Sequence, residues 1–300
     1  MLFNAPDTHL VPFDGRFAVD DFATAPAPDG PSKSELKAEL ADLVEQLHEL
    51  QRVLFADGRY ALLAVFQAMD AAGKDSTIRK VFSGVNPAGI RTTAFGAPSS
   101  LERSHEFLWR CVQRLPERGK IGIFNRSHYE EVLVVRVKPE LLTRQRLPRV
   151  APETIWDERL ESIRNWELHL ARNGVVVVKF WLHLSPEEQK RRFLRRIEQP
   201  DKNWKFVAED LEDRRRWDVF MHAYQDMLRQ TSREHAPWYA IPADWKPYTR
   251  VAVARTLVQV LSQLDLAWPG VDERQQQVLA QSRAELLAET ESPAEQRNNE

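Results

Sequence analysis

An apolar strand that runs directly into a small-residue loop and a lysine constrains the fold of this chain more than any other segment. Residues 60–67, YALLAVFQ, are apolar at successive positions, as strands buried on both faces are. Asp70, Gly73 and Lys74 follow, and a helical stretch begins at about residue 73. Backbone amides at such a helix start point at a bound anion, and a lysine adds a mobile positive charge. The segment therefore predicts a phosphate-binding loop after a buried strand.

This loop departs from the strict phosphate-loop pattern at two positions. Ala68 stands where the first glycine belongs, and Asp75 stands where a metal-binding Ser or Thr usually follows the lysine. Ser76 and Thr77 supply hydroxyl groups one and two places later. The alternative is a plain helix start with a solvated lysine. We favour phosphate binding, because a lysine among such small residues is hard to explain otherwise.

Further apolar runs alternate with helical stretches along the chain. The segment YEEVLVVRV at 129–137 is left unassigned, since its composition favours a strand and its position favours a helix. The apolar runs lie at 91–95, 121–124, 175–184 and 239–241, and helical patterns cover 101–118, the stretch around 156–170, a basic stretch after 185, about 208–231 and 249–264. This alternation is typical of an α/β fold with a parallel sheet between two helix layers.

The N-terminal region divides into an irregular arm and an amphipathic helix. Five prolines in residues 1–31 predict an arm that lies on the surface of this chain or of a neighbouring subunit. Ser32 and Glu35 form a capping-box pattern, leucines then recur from Leu36 to Leu54 at steps of four and three, and Gly58 suits a helix end. We expect the leucines to pack on the core; a contact with another subunit is the alternative.

Composition excludes several classes of protein. The 42 basic and 44 acidic residues give a net charge of −2, so the whole chain has no electrostatic basis for coating nucleic acid or an anionic membrane. No apolar run reaches the ~18 to 20 residues of a membrane span, and the N-terminus does not resemble a signal peptide. Cys111 is the single cysteine, which excludes an intrachain disulfide and fits a reducing, cytoplasmic compartment.

Polar residues that follow the apolar run IGIF form a second candidate group. In enzymes that transfer phosphoryl groups, residues at the end of a neighbouring strand hold Mg²⁺ or orient phosphates. The residues at this position here are Asn125, Arg126, Glu130 and Glu131. Arg126 offers a planar fork to phosphate oxygens. Asn125 alone is a weak metal ligand, so Asp70 would carry much of the charge compensation. The alternative interpretation is that Asn125 is a turn residue and that Arg126 forms an ion pair on the surface.

A third group is the basic stretch of residues 190–205. It holds seven cations and two carboxylates, an imbalance that suits a polyanion better than a solvated helix face, which normally mixes signs. Pro200 ends the helix, and Trp204 and Phe206 give the following loop an apolar anchor, as in a lid that closes. Too few aromatic residues lie nearby for a nucleic-acid stacking platform.

Several segments together resemble one known family. They read AMDAAGKDSTI, HEFLWRC, LPERGKIGIFNRSHYEEVLVVRV, PDKNWKF and APWYAIPADWK. They are similar to the polyphosphate kinase 2 family, in its class III branch, from about residue 36 to residue 264. The resemblance implies a three-layer α/β/α P-loop kinase-like fold with a helical lid and an N-terminal helical extension. It also implies transfer of phosphoryl groups from inorganic polyphosphate to nucleoside mono- and diphosphates, with Mg²⁺ or Mn²⁺, by a homo-oligomer (dimer or tetramer).

The resemblance carries the following roles onto this sequence. Most of the family has Asp where this chain has Asn125, which makes a metal role for Asn125 the least secure of these assignments. The implied catalytic residues are Asp70, Lys74, Asn125, Arg126, Arg191 and Arg192, and the implied phosphate-binding residues are Ala71, Ala72, Gly73, Lys74, Asp75, Ser76, Lys80, Arg91, Arg192, Arg195 and Arg196. The implied nucleotide-binding residues are Asp70, Arg126, His128, Tyr129 and Glu130, and the candidate metal ligands are Asp70, Asn125, Glu130 and Glu131.

Three regions and two alternative functions follow from these patterns. We expect an arm and amphipathic helix at 1–57, a P-loop phosphotransferase domain at 58–268 with a lid at about 185–215, and a polar C-terminal tail at 269–300. The alternatives to a polyphosphate-dependent kinase are an ATP-dependent nucleoside monophosphate kinase and a regulator that binds polyphosphate or nucleotide without turnover. The excess of cations in the predicted lid favours a donor longer than ATP.

Overall fold

The computed structural model describes residues 2–290 of the chain. Within them lie five strands, β1 (Ala61–Gln67), β2 (Ile90–Ala94), β3 (Ile121–Asn125), β4 (Val175–His183) and β5 (Trp238–Pro242). The α-helices are α1 (Lys33–Asp57), α2 (Lys74–Val81), α3 (Ser100–Arg103), α4 (Trp109–Val112), α5 (Val134–Val137), α6 (Glu140–Thr143), α7 (Ile155–Arg172), α8 (Pro186–Glu198), α9 (Glu209–Arg215), α10 (Trp217–Thr231), α11 (Lys246–Leu261) and α12 (Glu273–Thr290). Short 3₁₀ turns cover Val19–Asp21, Pro87–Gly89, His128–Glu131 and Pro200–Lys205.

The strands form one parallel sheet in the order β2-β3-β1-β4-β5, so the predicted α/β fold is confirmed. Every residue of β1 is buried, because helices cover both faces of the sheet. Leu62, Ala64 and Phe66 belong to one apolar cluster with α1 and α11, and Leu63 and Val65 belong to another with α7 and α10. The alternation of side chains along the strand thus builds three layers.

Helix α1 begins and ends where the sequence predicts. The Ser32 side chain accepts a hydrogen bond from the Glu35 amide, and the Glu35 carboxylate accepts one from the Ser32 amide. Gly58 adopts a left-handed conformation (φ 65°), which only glycine takes without cost. Leu36, Leu47 and Leu54 are almost fully buried against the core of the same chain, which confirms the packing interpretation of the leucine pattern.

The N-terminal arm lies along β5 of its own chain. The Val11 amide donates to the Trp238 carbonyl at 2.9 Å, and the Ala240 amide donates to the His9 carbonyl at 2.8 Å. Val11 and Phe17 are buried in the core. The arm therefore covers a sheet edge that would otherwise expose unpaired backbone groups.

Two predicted helices are interrupted. The pattern at 101–118 yields only α3 and α4, because the Glu106 carboxylate accepts a hydrogen bond from the Leu108 amide and so competes with a continuous helix. The pattern at 208–231 breaks at Arg216, whose guanidinium donates to the Val137 carbonyl at 3.1 Å. The unassigned segment 129–137 forms most of a 3₁₀ turn and the single-turn helix α5.

The chain divides into two compact units, residues 1–266 and 267–300. The second unit contains α12, whose residues from 273 to 289 are exposed. The remainder of the predicted polar tail, residues 291–300, lies outside the described residues. Among residues 2–290, no helix is both long and apolar enough to cross a bilayer.

Candidate active site

The loop between β1 and α2 is shaped by two left-handed residues. Ala71 has φ 63° and Gly73 has φ 106°, and α2 begins at the next residue, Lys74. The Lys74 side chain is buried and its ammonium donates to the Ala68 carbonyl at 2.8 Å. Burial lowers the pKa of Lys74, and the Asp70 carboxylate opposes this effect. The loop thus holds a buried ammonium beside the start of a helix, an arrangement suited to an anion.

Arg192 of α8 fixes this loop from outside. Its guanidinium donates to the carbonyls of Ala71 (3.0 Å) and Ala72 (2.6 Å) and, on its other side, to those of Ala243 (2.7 Å) and Asp244 (3.2 Å). Its Nε donates to Glu188 at 2.7 Å. Because protein oxygens engage every nitrogen of the guanidinium, we reassign Arg192 from a phosphate contact to a positioning residue for the loop.

A cavity of about 150 Å³ opens between the loop and the predicted lid. We call it the basic cavity. It is lined by Ala71, Gly73, Asp75 and Ser76 of the loop and α2, and by six cations, Arg192, Arg195, Arg196, Lys202, Lys205 and Lys246. Arg196 also pairs with Asp210 at 3.2 Å. Burial, with a smaller contribution from Asp70, raises the pKa of Asp210 to about 6.

Lys246 is a candidate residue that the sequence analysis missed. It is the first residue of α11, directly beyond the carboxyl end of β5. Burial and the neighbouring Arg192 and Arg195 lower its pKa to about 8. The signal was present in the segment PADWK, because the carboxyl ends of parallel strands meet at one edge of a sheet.

Arg126 and Asp70 form the centre of the site. The Arg126 guanidinium contacts the Asp70 carboxylate at 2.7 Å, and both side chains are partly exposed. Arg126 has a left-handed backbone (φ 62°), and its amide donates to the Phe66 carbonyl at 3.0 Å, which ties the residue to the end of β1. Glu130 raises the pKa of Arg126, and burial raises the pKa of Glu130. Arg126 therefore stays charged while Glu130 takes up protons more readily than an exposed carboxylate.

Asn125 and Asp75 meet beside the loop. The Asn125 amide donates to the Asp75 carboxylate at 2.6 Å. Within residues 2–290, no group of three or more His, Cys, Asp or Glu side chains forms a complete metal cage. The oxygens of Asp70, Asp75 and Asn125 nevertheless suit Mg²⁺, which takes one or two protein carboxylates and completes its shell with water and substrate phosphates.

A second cavity, of about 190 Å³, lies on the side of Arg126 and Glu130. We call it the mixed cavity. Arg103, Arg110, Arg126 and Arg144 line it together with the apolar Val134, Val135 and Leu141. Arg126, which lines the mixed cavity, contacts Asp70, the residue before Ala71 of the basic cavity. An arrangement of apolar walls with several guanidinium groups suits a ligand with a flat body and an anionic end.

Two sequence-predicted residues do not reach this site. His128 and Tyr129 are fully buried, and the Tyr129 hydroxyl donates to Glu167 at 2.7 Å in the core. We withdraw both from the nucleotide contacts, because side chains without exposed surface cannot touch a ligand. Glu131 lines the mixed cavity but is buried and pairs with Arg159 at 2.8 Å, so its role as a metal ligand stays a prediction.

Three predicted cations also lie elsewhere. Arg191 is 69% exposed, pairs with Glu188 and does not line the basic cavity. Lys80 is exposed near the end of α2, about 9 Å along the helix from Lys74. Arg91 of β2 lies opposite Gly122 of β3, and Gly122 is three residues, about 10 Å, before Asn125 along that strand. We therefore withdraw Arg191 from the catalytic residues, and Lys80 and Arg91 from the phosphate contacts.

Comparison with known proteins adds to this geometry. The family described as polyphosphate kinase 2 (PPK2) matches residues 30–267. The chain is 48% identical over 258 residues to an ADP-polyphosphate phosphotransferase of Rhodopseudomonas palustris, which covers 85% of this chain and 89% of that protein. It is 43% identical over 268 residues to an AMP/ADP-polyphosphate phosphotransferase of Meiothermus ruber, covering 89% and 96%. The crystal structure of polyphosphate kinase 2 from Arthrobacter aurescens TC1 superposes with a TM-score of 0.82 at 37% identity, covering 91% of this chain and 93% of that one.

Proposed function

The chain belongs to the polyphosphate kinase 2 family, and from this premise we propose that it transfers phosphoryl groups from inorganic polyphosphate to nucleotides. The acceptors are nucleoside mono- and diphosphates, so that AMP yields ADP and ADP yields ATP. The relatives from Rhodopseudomonas palustris and Meiothermus ruber carry the names of polyphosphate phosphotransferases, one for ADP and the other for both AMP and ADP.

The observation that supports this proposal most directly is the row of cations in the basic cavity. Besides Arg192, whose donors the loop occupies, five cations line it: Arg195, Arg196, Lys202, Lys205 and Lys246. They come from the predicted lid and from α11, so they extend well beyond the phosphate-binding loop itself. A long polyanion engages such a row along its length. This favours polyphosphate over ATP as the donor.

The proposed arrangement places donor and acceptor on opposite sides of the Asp70–Arg126 pair. The end of the polyphosphate chain lies at Lys74 and the amides of the loop, and the acceptor lies in the mixed cavity with its terminal phosphate near Arg126. Burial strengthens the interaction of Lys74 with charge that develops on the transferred group. The site then acts mainly by positioning the two phosphates in line.

The transfer needs no general base. An oxygen of the acceptor phosphate attacks the terminal phosphorus of polyphosphate, and the bond from that phosphorus to its bridging oxygen breaks. The shortened polyphosphate leaves with the electron pair of that bond. Because an acceptor phosphate is already an anion near neutral pH, no proton has to be removed before the attack.

We also propose a divalent cation, Mg²⁺ or Mn²⁺, held by the side chains of Asp70, Asp75 and Asn125. When bound, the cation would neutralise phosphate charge between donor and acceptor. The hydrogen bond from Asn125 to Asp75 keeps the two side chains next to each other.

A donor and acceptor assay tests the proposed function. The purified protein is given AMP or ADP as acceptor, long-chain polyphosphate or ATP as donor, and Mg²⁺, Mn²⁺ or a chelator, and the nucleotides are separated by chromatography. We expect AMP to be converted to ADP and then to ATP with polyphosphate, and we expect the chelator to stop the reaction. Turnover with ATP alone would replace the proposal by a nucleoside monophosphate kinase. Binding without turnover would indicate a regulator.

We further propose that the enzyme is a cytoplasmic homo-oligomer. The buried free thiol of Cys111 is compatible with a reducing compartment, which is also where nucleotides are held. Sedimentation velocity of the full chain tests the assembly. A dimer or tetramer is expected, and a monomer at micromolar concentration would contradict it.

A further inference from the structure

Helix α9, the last helix of the predicted lid, is held in place by polar contacts rather than by the core. None of its seven residues, all of which the structure describes, is buried. A helix of two turns is too short to be stable by itself in water. The position of α9 therefore depends on the contacts that its charged side chains make with the neighbouring elements.

Two of these contacts join α9 to the side of the basic cavity. The Asp210 carboxylate accepts a hydrogen bond at 3.2 Å from the guanidinium of Arg196, which lines that cavity. The Arg214 guanidinium donates to the side-chain oxygen of Gln189, in the first turns of α8, at 2.9 Å. The Gln189 amide in turn donates to the Asp70 carbonyl at 3.0 Å. Helix α9 is thus linked to a cation of the basic cavity and, through Gln189, to the phosphate-binding loop.

Two further contacts join α9 and its carboxyl end to the wall of the mixed cavity. The Asp213 carboxylate contacts the Lys138 ammonium. Arg216, the residue that follows α9, donates to the Val137 carbonyl at 3.1 Å. Val137 ends α5 and Lys138 follows it, and the first two residues of α5 line the mixed cavity. The wall of this cavity and α9 therefore move apart only if these contacts break.

The two ion pairs of α9 are shielded from solvent. The exposed fractions of the side chains are 15% for Asp213 and 20% for Lys138, and 15% for Asp210 and 23% for Arg196. Charges that are partly buried are screened less by water and salt than charges on the open surface. Both pairs therefore resist separation more than surface pairs do, and α9 transmits a displacement at one pair to the other.

From these contacts, and resting on the proposed function, we propose that α9 couples the two cavities, so that polyphosphate and nucleotide strengthen each other's binding. Arg214 holds the helix at the start of α8. A movement of Asp210 together with Arg196 therefore turns α9 and displaces Asp213 with the wall of the mixed cavity. Polyphosphate that draws Arg196 toward the loop thereby fixes the wall that the nucleotide contacts. Asp210 and Asp213 are positioning residues, which act through Arg196 and Lys138.

Calorimetric titration of the full-length protein with Mg²⁺ tests the coupling without turnover. The donor probe is a tripolyphosphate analogue with methylene groups in place of its bridging oxygens, which cannot transfer a phosphoryl group, and the acceptor is AMP. We expect saturating AMP to strengthen binding of the probe about 5- to 20-fold, and the saturating probe to strengthen AMP binding by the same factor. An affinity of each ligand that ignores the other would overturn the proposal. The turnover assay with polyphosphate decides separately on the proposed function.

The pair of Lys138 and Asp213 is the contact to break, and the pair of Arg136 and Asp226 is its matched control. The control pair also starts from α5, and its side chains meet at 2.7 Å, but it leads to α10 and bypasses α9. We expect Asp213→Asn and Lys138→Met each to reduce the mutual strengthening to less than about twofold. In Asp226→Asn the strengthening should equal that of the wild type.

The exchange of both charges, Lys138→Asp with Asp213→Lys, separates the coupling from a loss of folding. It restores an ion pair at the same place, so we expect it to recover most of the strengthening that Asp213→Asn loses. Thermal unfolding checks that each variant is folded at the temperature of the titration. Persistence of the strengthening in Asp213→Asn, its loss in Asp226→Asn, or no recovery in the exchange would each overturn the proposal.

Discussion

Lys74 is the first residue of α2, and its buried ammonium donates to the Ala68 carbonyl of the loop at 2.8 Å. We expect Lys74→Met to lower kcat by about 10²- to 10³-fold, since comparable losses follow removal of one group that stabilises transition-state charge. The fold should persist, because methionine fills the same volume and removes a charge whose burial is costly. Steady-state kinetics and thermal unfolding measure the two effects.

Lys80→Met is the matched control for this substitution. It removes the same charge from the same helix, but its side chain is exposed and outside the basic cavity. We expect kcat within about twofold of the wild type. A Lys74→Met enzyme with near-normal turnover would remove Lys74 from the mechanism, and an inactive Lys80→Met enzyme would restore the role that we withdrew.

We expect Lys246 to make polyphosphate binding depend on pH. Its pKa of about 8 means that the ammonium is charged below pH 8 and neutral above it, so the attraction to a polyanion is lost as the pH rises through 8. We expect the KM for polyphosphate to rise between pH 7 and pH 9 in the wild type. In Lys246→Arg the charge persists over this range, and the KM should stay level. Parallel curves for the two enzymes would contradict this role.

The candidate-site residues that could be predicted from the sequence belong to local patterns. Asp70, Gly73, Lys74 and Arg126 stand in motifs whose spacing reflects the strand, loop and helix that carry them. Lys246 was missed because its contribution depends on the carboxyl ends of β5 and β1 lying at one edge of the parallel sheet, so that the segment PADWK becomes informative only together with the topology. His128 and Tyr129 were included wrongly because they adjoin Arg126 in sequence, although the 3₁₀ turn directs their rings into the core.

At the scale of elements, the neighbouring residues Arg191 and Arg192 of α8 differ in role, because one is exposed and the other holds the phosphate-binding loop. Both contact Glu188, but Arg192 is buried against the loop whereas Arg191 is 69% exposed. We expect Arg192→Met to reduce the free energy of unfolding by about 2 to 4 kcal/mol, because it removes the donor to one oxygen of the buried Glu188 carboxylate and the donors to several backbone carbonyls. Arg191→Met should change it by less than about 0.5 kcal/mol. Urea unfolding measures both, and equal losses would contradict the distinction.

Element boundaries were predictable where local signals act alone. The capping box of Ser32 and Glu35 and the left-handed Gly58 fix both ends of α1 without help from the rest of the chain. The helices predicted at 101–118 and 208–231 are interrupted, the first by a local contact and the second by a distant one. There the continuous apolar pattern is interrupted by side chains that bind backbone groups, the Glu106 carboxylate within its own segment and the Arg216 guanidinium at the distant Val137 carbonyl.

At the scale of the whole molecule, the arm completes the sheet beside β5. Deletion of residues 1–31 would expose the edge of β5 and remove the buried side chains of Val11 and Phe17. Burial of two such side chains contributes about 3 to 6 kcal/mol. We therefore expect the melting temperature to fall by roughly 10 °C and the protein to aggregate at the exposed edge.

The single substitution Val11→Ala provides a second test of the same packing. It keeps the backbone contact with Trp238 and leaves a cavity in the core, so a smaller loss of about 1 to 3 kcal/mol is expected. Differential scanning calorimetry and light scattering follow both variants. A truncated chain as stable and as soluble as the full chain would show that the arm does not seal the edge.

The contacts of Arg192 also limit which part of the predicted lid can move. By joining α8 to the loop and to the chain after β5, this residue makes the first two turns of α8 part of the static frame. We expect the pivot of the predicted lid to lie beyond Arg192, so that opening would carry Arg195 and Arg196 away while Lys74 stays in place. A polymeric donor would then advance by one unit after each transfer without displacing the phosphate-binding loop.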